Sequence, residues 1–313
     1  MKYGLIVYNE TNGTWRNGDA YLPTTVNIGD YIQSIAARQF LPQVDCYIER
    51  EKIRYYEGEP TKLIMNGWWR IFDGTALTSK SILPLYTSYH ICNVREVEED
   101  TLRHLRRFQP IGCRDNTTLE FLRSQGIEAY FSACLTLTLG KTYTRIAPQE
   151  PTVVFADFDP NLNDETQKNP KQQRLTHLVR EVLAETEFHS VHLNHSLPIR
   201  HTDHDYRFAL ADDYLQKFAG ASIVITSRLH AGLPCLGMGV PVLFCFPRYD
   251  RYRFPRLIEL MNYAGFKAEE FVCDFTVNKQ SSGGRVTNVL VNPQRHVPFV
   301  DSLCANVKHF LQK

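Results

Sequence analysis

Short runs of apolar, β-branched and aromatic residues alternate along the chain with longer segments in which apolar residues recur every three or four positions. The short runs predict buried strands and the longer segments predict amphipathic helices. Strands are predicted at 3–8, 44–48, 62–66, 85–90, 111–113, 128–131, 152–157, 189–193, 222–226 and 241–246. Helices are predicted at 29–40, 98–108, 115–125, 171–185, 207–218, 228–238 and 298–311. Strands that alternate with helices are typical of α/β folds with parallel sheets.

A polar stretch at 140–151 interrupts this alternation, and its two prolines and lack of a clear period indicate a linker. The sequence therefore predicts an N-terminal α/β domain at 1–140, a linker at 141–151 and a C-terminal α/β domain at 152–296. A last helix within 297–313 could pack back on the N-terminal domain. Two such domains imply a cleft between them, and α/β sheets bind ligands beyond the carboxyl ends of their strands.

Composition narrows the functional classes. The chain has 313 residues, 43% hydrophobic and 22% charged, with a formal net charge of only +1. This balance argues against a general nucleic-acid binder, which usually carries a basic excess. No apolar run approaches the roughly 20 residues that span a bilayer. The eight cysteines form no C-x-x-C pair, which favours a reducing cytoplasm over a disulfide framework or a structural zinc site.

The strongest local motif is the segment Ser227-Arg228-Leu229-His230-Ala231, which follows a buried strand and opens a helix. Thr226 and Ser227 are residue types that favour the N-cap position. Arg228 and His230 would lie in or beside the first helical turn, where backbone N–H groups and the helix dipole already favour an anion. A guanidinium can grip a carboxylate or phosphate through two parallel bonds, and a histidine can donate a proton near neutral pH. The local sequence equally allows Arg228 to pair with a structural acid and His230 simply to pack.

Other polar residues follow predicted strands or begin helices, where α/β enzymes place their ligands. Asn27, Gly29 and Asp30 precede the first long helix, where the glycine allows close backbone approach. Asn66 and His90 stand at strand ends. A capped helix with a tight turn, and a structural histidine, are the alternative interpretations of these positions.

Arg114 stands at a second strand-to-helix junction, in Gly112-Cys113-Arg114-Asp115. A second arginine contributed by the other domain would let an anionic ligand bridge the predicted cleft. The alternative is that Arg114 and Asp115 are surface charges around an ordinary helix cap.

Two further clusters allow more than one interpretation. Five histidines lie within 189–204 and could suggest a metal site. Some of them lie on a predicted strand, where successive side chains point to opposite faces, and no thiolate is nearby, so no metal site is expected. These histidines are His189, His192, His195, His201 and His204. A basic and aromatic run at 248–256 could contact a sugar or a phosphate-bearing ligand, or could be a solvated loop.

Three motifs, taken in this order, resemble the polysaccharide pyruvyl transferase family. They are Asn27-x-Gly29-Asp30, Arg114-Asp115-x-x-Thr118, and Ser227-Arg228-Leu229-His230-Ala231 followed by Gly239-Val240-Pro241. The resemblance extends over about residues 1–250 and covers both predicted domains.

The resemblance implies a GT-B-like fold, in which two Rossmann-like domains with parallel sheets face a cleft. It implies transfer of a pyruvyl group from phosphoenolpyruvate to a sugar as a cyclic ketal, in capsule, exopolysaccharide or cell-wall glycan synthesis. The acceptor could be an oligosaccharide linked to a polyprenyl diphosphate, which would bring a cytoplasmic enzyme to the inner face of the membrane. No cofactor, metal or nucleic acid is expected.

The resemblance also distributes roles, with the acceptor on the N-terminal domain and phosphoenolpyruvate on the C-terminal domain. The expected phosphoenolpyruvate ligands are Arg114, Arg228, Leu229 and His230. The expected acceptor or cleft residues are Asn27, Gly29, Asp30, Asn66 and His90. His230 would protonate the enol methylene and Arg228 would stabilise the departing phosphate, while Asp30 or His90 could accept a sugar hydroxyl proton.

Two alternatives stay open. A nucleotide-sugar glycosyltransferase uses the same two-domain layout, because a fold does not determine a function. A non-catalytic glycan-binding or scaffold protein would tolerate replacement of Arg228 and His230. The sequence contains neither a G-x-G-x-x-G motif nor a P-loop, which weakens the dinucleotide-binding and P-loop NTPase classes.

Overall fold

A computed structural model describes residues 1–8, 13–14, 20–21, 25–69, 78–158, 170–183, 187–198, 203–245, 255–267, 270–282 and 285–313. The chain divides into two compact units. Unit 1 comprises Met1–Thr138, Ser196–Asp212 and Pro298–Lys313, and unit 2 comprises Leu139–His195 and Asp213–Val297.

The elements follow one another in a mixed α/β order. The strands are β1 (Lys2–Val7), β2 (Gly13–Thr14), β3 (Ala20–Tyr21), β4 (Thr25–Asn27), β5 (Cys46–Glu49), β6 (Thr61–Ile64), β7 (Gly67–Trp69), β8 (Ile82–Leu85), β9 (Tyr89–Ile91), β10 (Ile111–Cys113), β11 (Ala129–Phe131), β12 (Thr152–Ala156), β13 (His189–Leu193), β14 (Ser196–Pro198), β15 (Ile223–Thr226), β16 (Val242–Cys245), β17 (Asn262–Lys267), β18 (Glu270–Asp274), β19 (Val277–Ser282) and β20 (Arg285–Leu290). The helices are α1 (Ile28–Arg38), α2 (Glu99–Arg106), α3 (Asn116–Ser124), α4 (Pro170–Leu183), α5 (His204–Ala219), α6 (Leu229–Met238), α7 (Pro255–Ile258) and α8 (Val297–Gln312). Short 3₁₀ helices cover Arg50–Tyr55, Val94–Glu96 and Leu135–Lys141.

Unit 1 contains two four-stranded parallel sheets, in the orders β5-β1-β6-β8 and β11-β10-β9-β7. Helix α1 covers β1 with a buried isoleucine face that includes Ile28, Ile32 and Ile35. The Ser34 hydroxyl also donates to the Ile6 carbonyl of β1, at 2.7 Å. In the first sheet the strand order reverses between β1 and β6, and such a switch point is where α/β sheets bind ligands.

The segment 196–212 lies within unit 1, although the sequence groups it with the C-terminal domain. Strand β14 pairs antiparallel with β4. The start of α5 is then held by side chains, since Tyr31 bonds His204 Nδ1 at 2.9 Å and Arg207 donates to the Tyr8 carbonyl at 3.0 Å. These pairings join residues at least 169 positions apart, which local periodicity does not reveal.

The C-terminal helix α8 also packs within unit 1. The Phe299 ring meets Phe131 edge-on at 5.2 Å, and Asn306 Nδ2 donates to the Tyr130 hydroxyl at 2.9 Å. No helix in the part of the chain that the structure describes is long and apolar enough to cross a membrane.

Unit 2 is built on one six-stranded sheet, in the order β13-β12-β15-β16-β17-β18. Its first five strands are parallel, and β18 runs antiparallel at the edge. Helix α4 covers one face through Leu175 and Val179, which pack in a core with Val153, Phe155 and Ile225. The parallel strands follow the order 2-1-3-4-5 of flavodoxin-like sheets, whose ligand site lies at the switch point between the first and third strands.

The α/β class with parallel sheets is therefore confirmed, but one strand prediction is wrong. The predicted strand 85–90 is two strands, β8 and β9, which belong to different sheets. Between them Ser88 has a φ of 53°, in the left-handed region that a strand cannot continue through. The apolar and β-branched composition of this run hides that single backbone reversal. Strands β17 to β20 were not predicted.

Candidate functional site

In unit 2 the polar residues lie at the switch point of the sheet. Asp157 follows β12 directly, and Ser227 and Arg228 follow the neighbouring strand β15. The parallel pairing sets Ala156 level with Thr226, so the residues that follow both strands meet at one edge. Hydrogen bonds join the two strand ends, since Thr226 Oγ1 donates to the Ala156 carbonyl and Ser227 Oγ donates to the Asp157 carbonyl, both at 2.8 Å.

These bonds correct the predicted helix cap. Helix α6 begins at Leu229, so its N-cap residue is Arg228 and not Thr226 or Ser227. The Arg228 side chain makes no capping bond, because an arginine has no acceptor atom. Within the described residues, this N-cap residue supplies no side-chain acceptor to the helix, and a helix N-terminus of that kind suits an incoming anion. His230 lies in the first turn, and both it and Leu229 are half-buried.

Arg228 pairs with Asp157, which is the structural acid that the local alternative required. Its Nε lies 3.3 Å from Asp157 Oδ2 and its Nη2 lies 3.4 Å from Oδ1. The Arg228 side chain is nevertheless 44% exposed, whereas that of Asp157 is 10% exposed. Pairing with an acid and access to an external anion are therefore compatible in this arginine.

His195 holds the other side of the Asp157 carboxylate. His195 Nδ1 lies 2.7 Å from Oδ2, and the His195 backbone N–H donates to the same oxygen at 3.1 Å. Burial raises the pKa of Asp157, but the bond and charge of His195 together with the charge of Arg228 outweigh it and lower that pKa overall. Asp157 is therefore ionised at neutral pH. Sequence analysis missed this residue.

In unit 1 three predicted residues lie at the start of α1. Asn27 is the N-cap and accepts from the Gly29 N–H at 3.0 Å. Asp30 is 1% exposed, and its Oδ1 accepts from Gln33 Nε2 at 2.8 Å and from Trp68 Nε1 at 3.1 Å. Its Oδ2 has no hydrogen-bond partner among the described residues. Burial raises the pKa of Asp30, although nearby Arg50, the Trp68 bond and Arg114 pull it down.

Gln33 connects the remaining predicted residues of this region. Its Oε1 accepts from Arg114 Nη1 at 2.9 Å, while its backbone carbonyl accepts from Asn66 Nδ2 at 2.8 Å. Asn66 follows β6, at the switch point of the first sheet. Asp30, Asn66 and Arg114 are thus brought together through one glutamine. Gln33 was not predicted. It lies three positions after Asp30 on the same face of the predicted helix, and that spacing is the signal that could have identified it.

An arginine–aromatic stack borders this network and was also missed. The Arg50 guanidinium lies 3.9 Å from the Trp68 ring centroid and 4.9 Å from that of Tyr8, and it pairs with Glu51 at 2.6 Å. Trp68 is half-buried, and its indole is held from one side by Arg50 and through its N–H by Asp30. An indole fixed in this way offers a rigid surface on which a sugar ring can stack.

His90 is held by the residue that follows Arg114. Its Nδ1 lies 2.8 Å from Asp115 Oδ2, and both side chains are almost fully buried. Asp115 also caps α3, accepting from the Thr118 N–H and hydroxyl, each at 2.9 Å. Burial raises the pKa of Asp115, but the His90 and Thr118 bonds outweigh it and lower that pKa overall. The surface-charge alternative for Arg114 and Asp115 is wrong, because both are buried.

The described histidines of the cluster are spread over different elements and contact different partners. His189 and His192 lie on β13, His195 binds Asp157, His204 belongs to unit 1, and His201 lies outside the described residues. Within the described ranges, no group of three histidine, cysteine, aspartate or glutamate side chains could hold a metal ion. Residues 248–254 of the basic and aromatic run also lie outside the described residues.

Comparisons with known proteins identify the family of this chain. The model of the polysaccharide pyruvyl transferase family matches residues 27–247, a range that contains Asn27, Asp30, Arg114 and the Arg228–His230 turn. Among solved structures, the chain is similar to a functionally uncharacterised protein from Klebsiella pneumoniae, with 14% sequence identity, a TM-score of 0.41, and coverage of 80% of this chain and 86% of that chain. Among curated proteins none matches. The chain belongs to the polysaccharide pyruvyl transferase family.

Proposed function

We propose that the protein transfers the pyruvyl group of phosphoenolpyruvate to a sugar as a cyclic ketal. The observation that carries the proposal is the Arg228–His230 turn, where a half-exposed guanidinium and an imidazole stand together at the start of α6. Phosphoenolpyruvate carries a carboxylate and a phosphate. A guanidinium and a helix N-terminus are suited to bind such anions.

The chemistry assigns one role to each residue of this turn. His230 gives a proton to the enol methylene, which becomes a methyl group and leaves C2 electrophilic. One sugar hydroxyl attacks C2, a second replaces the phosphate, and the ketal closes. Of the two hydroxyl protons, one restores His230 and the other leaves with inorganic phosphate. Arg228 binds the anion and stabilises charge on the departing phosphate.

Two residues of unit 1 are the candidate bases that would accept the second of these hydroxyl protons before it leaves with inorganic phosphate. Asp30 has a buried carboxylate oxygen without a bond partner among the described residues, and burial raises its pKa above that of an exposed aspartate. His90 is oriented by Asp115, as a general base often is by a carboxylate. Phosphoenolpyruvate binding by Arg114 and acceptor contacts by Asn66 stay predictions. Stacking of a sugar on Trp68 fits the same proposal.

The proposal extends to the biological acceptor. Polysaccharides assembled inside a cell are commonly built on a lipid carrier, so we propose a lipid-linked oligosaccharide as the acceptor and the inner membrane face as the place of reaction. Capsule, exopolysaccharide and cell-wall glycans are the candidate products.

The deciding experiment incubates the pure protein with phosphoenolpyruvate and a panel of lipid-linked oligosaccharides. We expect phosphate release that requires both substrates, with a product 70 Da heavier than the acceptor, the mass that C₃H₂O₂ adds. Thermal melting separates the glycosyltransferase alternative, since a ligand that binds only the folded state raises the melting temperature. Stabilisation by uridine or guanosine diphosphate sugars, with none by phosphoenolpyruvate, would favour the glycosyltransferase.

Two variants separate binding from proton transfer at the same turn. Arg228→Lys keeps the charge but loses the fork, so phosphoenolpyruvate binding should weaken while the fold persists. His230→Asn cannot act as an acid, so donor affinity should change little while turnover falls by about 10²–10⁴-fold. The matched controls are Arg295→Lys and His177→Asn, which replace exposed residues of unit 2. Full turnover in both test variants would remove Arg228 and His230 from the assigned roles, whereas no turnover in the parent, with glycan binding unchanged in both variants, would favour the glycan-binding scaffold.

A further inference from the structure

Asp157 occupies a backbone conformation that the surrounding bonds enforce. Its φ is 51°, in the left-handed region that non-glycine residues adopt rarely and aspartate more readily than most. Its N–H donates to the Leu193 carbonyl at 3.0 Å, and its carbonyl accepts from Ser227 Oγ at 2.8 Å. A backbone held in a sparsely populated conformation by several bonds is common at functional sites.

The carboxylate of Asp157 is held as firmly as its backbone. His195 contributes its backbone N–H and its Nδ1 to Oδ2, at 3.1 and 2.7 Å. The His195 ring is in turn fixed by packing, since it stacks on Phe218 at 6.2 Å and meets Tyr214 edge-on at 5.6 Å. Its side chain is 1% exposed. The direction of the carboxylate is therefore set by buried residues.

Arg228 receives that carboxylate on one edge of its guanidinium. Nε and Nη2 face the two oxygens at 3.3 and 3.4 Å. Such long contacts, to an arginine that is 44% exposed, contribute little to stability. They do restrict its rotamers, because a side-on pair uses Nε–H and one Nη2–H. Among the described residues no partner meets the end-on edge, formed by Nη1 and the second Nη2 hydrogen, so this edge can face a ligand.

We propose that Asp157, oriented by His195, is the positioning residue that holds the Arg228 guanidinium with its end-on edge towards an anionic ligand. The identification of that ligand as phosphoenolpyruvate rests on the proposed function. The orientation of Arg228 does not depend on it. If Asp157 did not position Arg228, its negative charge beside the anion site would only weaken anion binding. Removal of that charge should therefore weaken binding if Asp157 positions Arg228, and should strengthen binding if Asp157 only repels the anion.

The test uses Asp157→Asn, because asparagine tolerates the same backbone conformation and keeps the size of the side chain while losing the charge. Freeing one long side chain costs about 0.5–1.5 kcal/mol in binding, so the dissociation constant of phosphoenolpyruvate should rise about 2- to 12-fold. Isothermal titration calorimetry measures it. The KM should rise by a similar factor while kcat stays within about twofold. An equal or tighter dissociation constant would show that Asp157 is a competing charge and would overturn the proposal.

Two controls separate positioning from general damage. Asp274→Asn removes the acid of another ion pair of unit 2, with Arg295, and should leave the dissociation constant unchanged. In an Arg228→Lys background the Asp157→Asn effect should disappear, because the two residues then no longer act as a unit. Persistence of the full effect in that background would count against positioning through Arg228.

A measurement without phosphoenolpyruvate tests the orientation directly. In nitrogen-15 spectra the Nε–H signal of Arg228, assigned by its loss in Arg228→Lys, should be distinct in the parent and should move to the averaged position of solvated arginines in Asp157→Asn. An unchanged signal would overturn the positioning role. A parent that shows the distinct signal but binds no phosphoenolpyruvate would leave the positioning standing and would refute the proposed donor.

Discussion

The buried pair of His90 and Asp115 gives the sharpest energetic prediction. Asp115 is fully buried and serves two purposes, because one oxygen meets His90 Nδ1 at 2.8 Å and the other accepts the Thr118 N–H at 2.9 Å as the cap of α3. Asparagine caps helices as well as aspartate does, so Asp115→Asn removes mainly the charged acceptor for His90. Hydrogen bonds to charged groups contribute about 1.5–3 kcal/mol, and we expect the free energy of unfolding to fall by that amount. Asp115→Ala should lose about 1 kcal/mol more, the usual contribution of a cap.

Tryptophan fluorescence during urea unfolding measures these differences in unit 1, the unit that contains Asp115. Of the three tryptophans of the chain, Trp68 and Trp69 lie in unit 1, and Trp15 lies outside the described residues. The matched control is Asp100→Asn, which removes an acid that is 72% exposed and pairs with Arg103, and should change little.

The pH dependence of the same measurement checks the cause. The pKa of Asp115 is lowered in the folded protein, so its contribution is complete above the ordinary value near 3.9 and is lost as the pH falls through the folded value. The part of the difference between parent and Asp115→Asn that comes from ionisation of the Asp115 carboxylate should therefore be complete at about pH 5 and shrink below about pH 4. A difference under about 0.5 kcal/mol at pH 7, or one that persists unchanged to pH 3, would refute the reasoning.

Three further predictions follow from separate observations. Burial raises the pKa of Asp30, so the folded protein loses stability as the pH rises from the ordinary aspartate pKa to the raised one. Asp30→Asn removes this ionisation and should therefore raise the free energy of unfolding at pH 7, while turnover falls if Asp30 is the base. A Cβ at Gly140 would overlap the Gly237 carbonyl oxygen, so Gly140→Ala should destabilise unit 2 by about 3 kcal/mol in circular dichroism melts. Gly220→Ala is the control and should not destabilise it, because its Cβ would lie 3.7 Å from the nearest atom, the Gln216 carbonyl oxygen. Ketal formation should survive a strong chelator, since anion binding is assigned to arginine; loss of activity that zinc or magnesium restores would refute this assignment.

Much of the fold could be predicted because its strands and helices are strongly periodic. The run 222–226 is apolar and β-branched and matches β15, and 29–40 shows the helical period of α1. Ser88 shows the limit, because one residue with a left-handed φ ends a sheet inside a run that reads as continuous. Residues 196–212 show another, since their partners Tyr8, Tyr31 and Tyr47 lie more than 150 positions away. Pairing at such separation depends on tertiary packing and leaves no local signal.

The candidate site divides in the same way between local and long-range information. Arg228 and His230 are marked by their own surroundings, a buried strand followed by a helix start, and the sequence alone directs attention to them. Asp157 carries no such mark, because an aspartate after a strand is common and its partner His195 is 38 residues away. What brings Asp157 to Arg228 is the pairing of β12 with β15, which sets Ala156 level with Thr226. A strand order of 2-1-3-4-5, assumed from the α/β alternation, would have made these two strands neighbours and their following residues a pair. For this chain the order of the strands, more than the periodicity of any one of them, therefore determines which polar residues can act together.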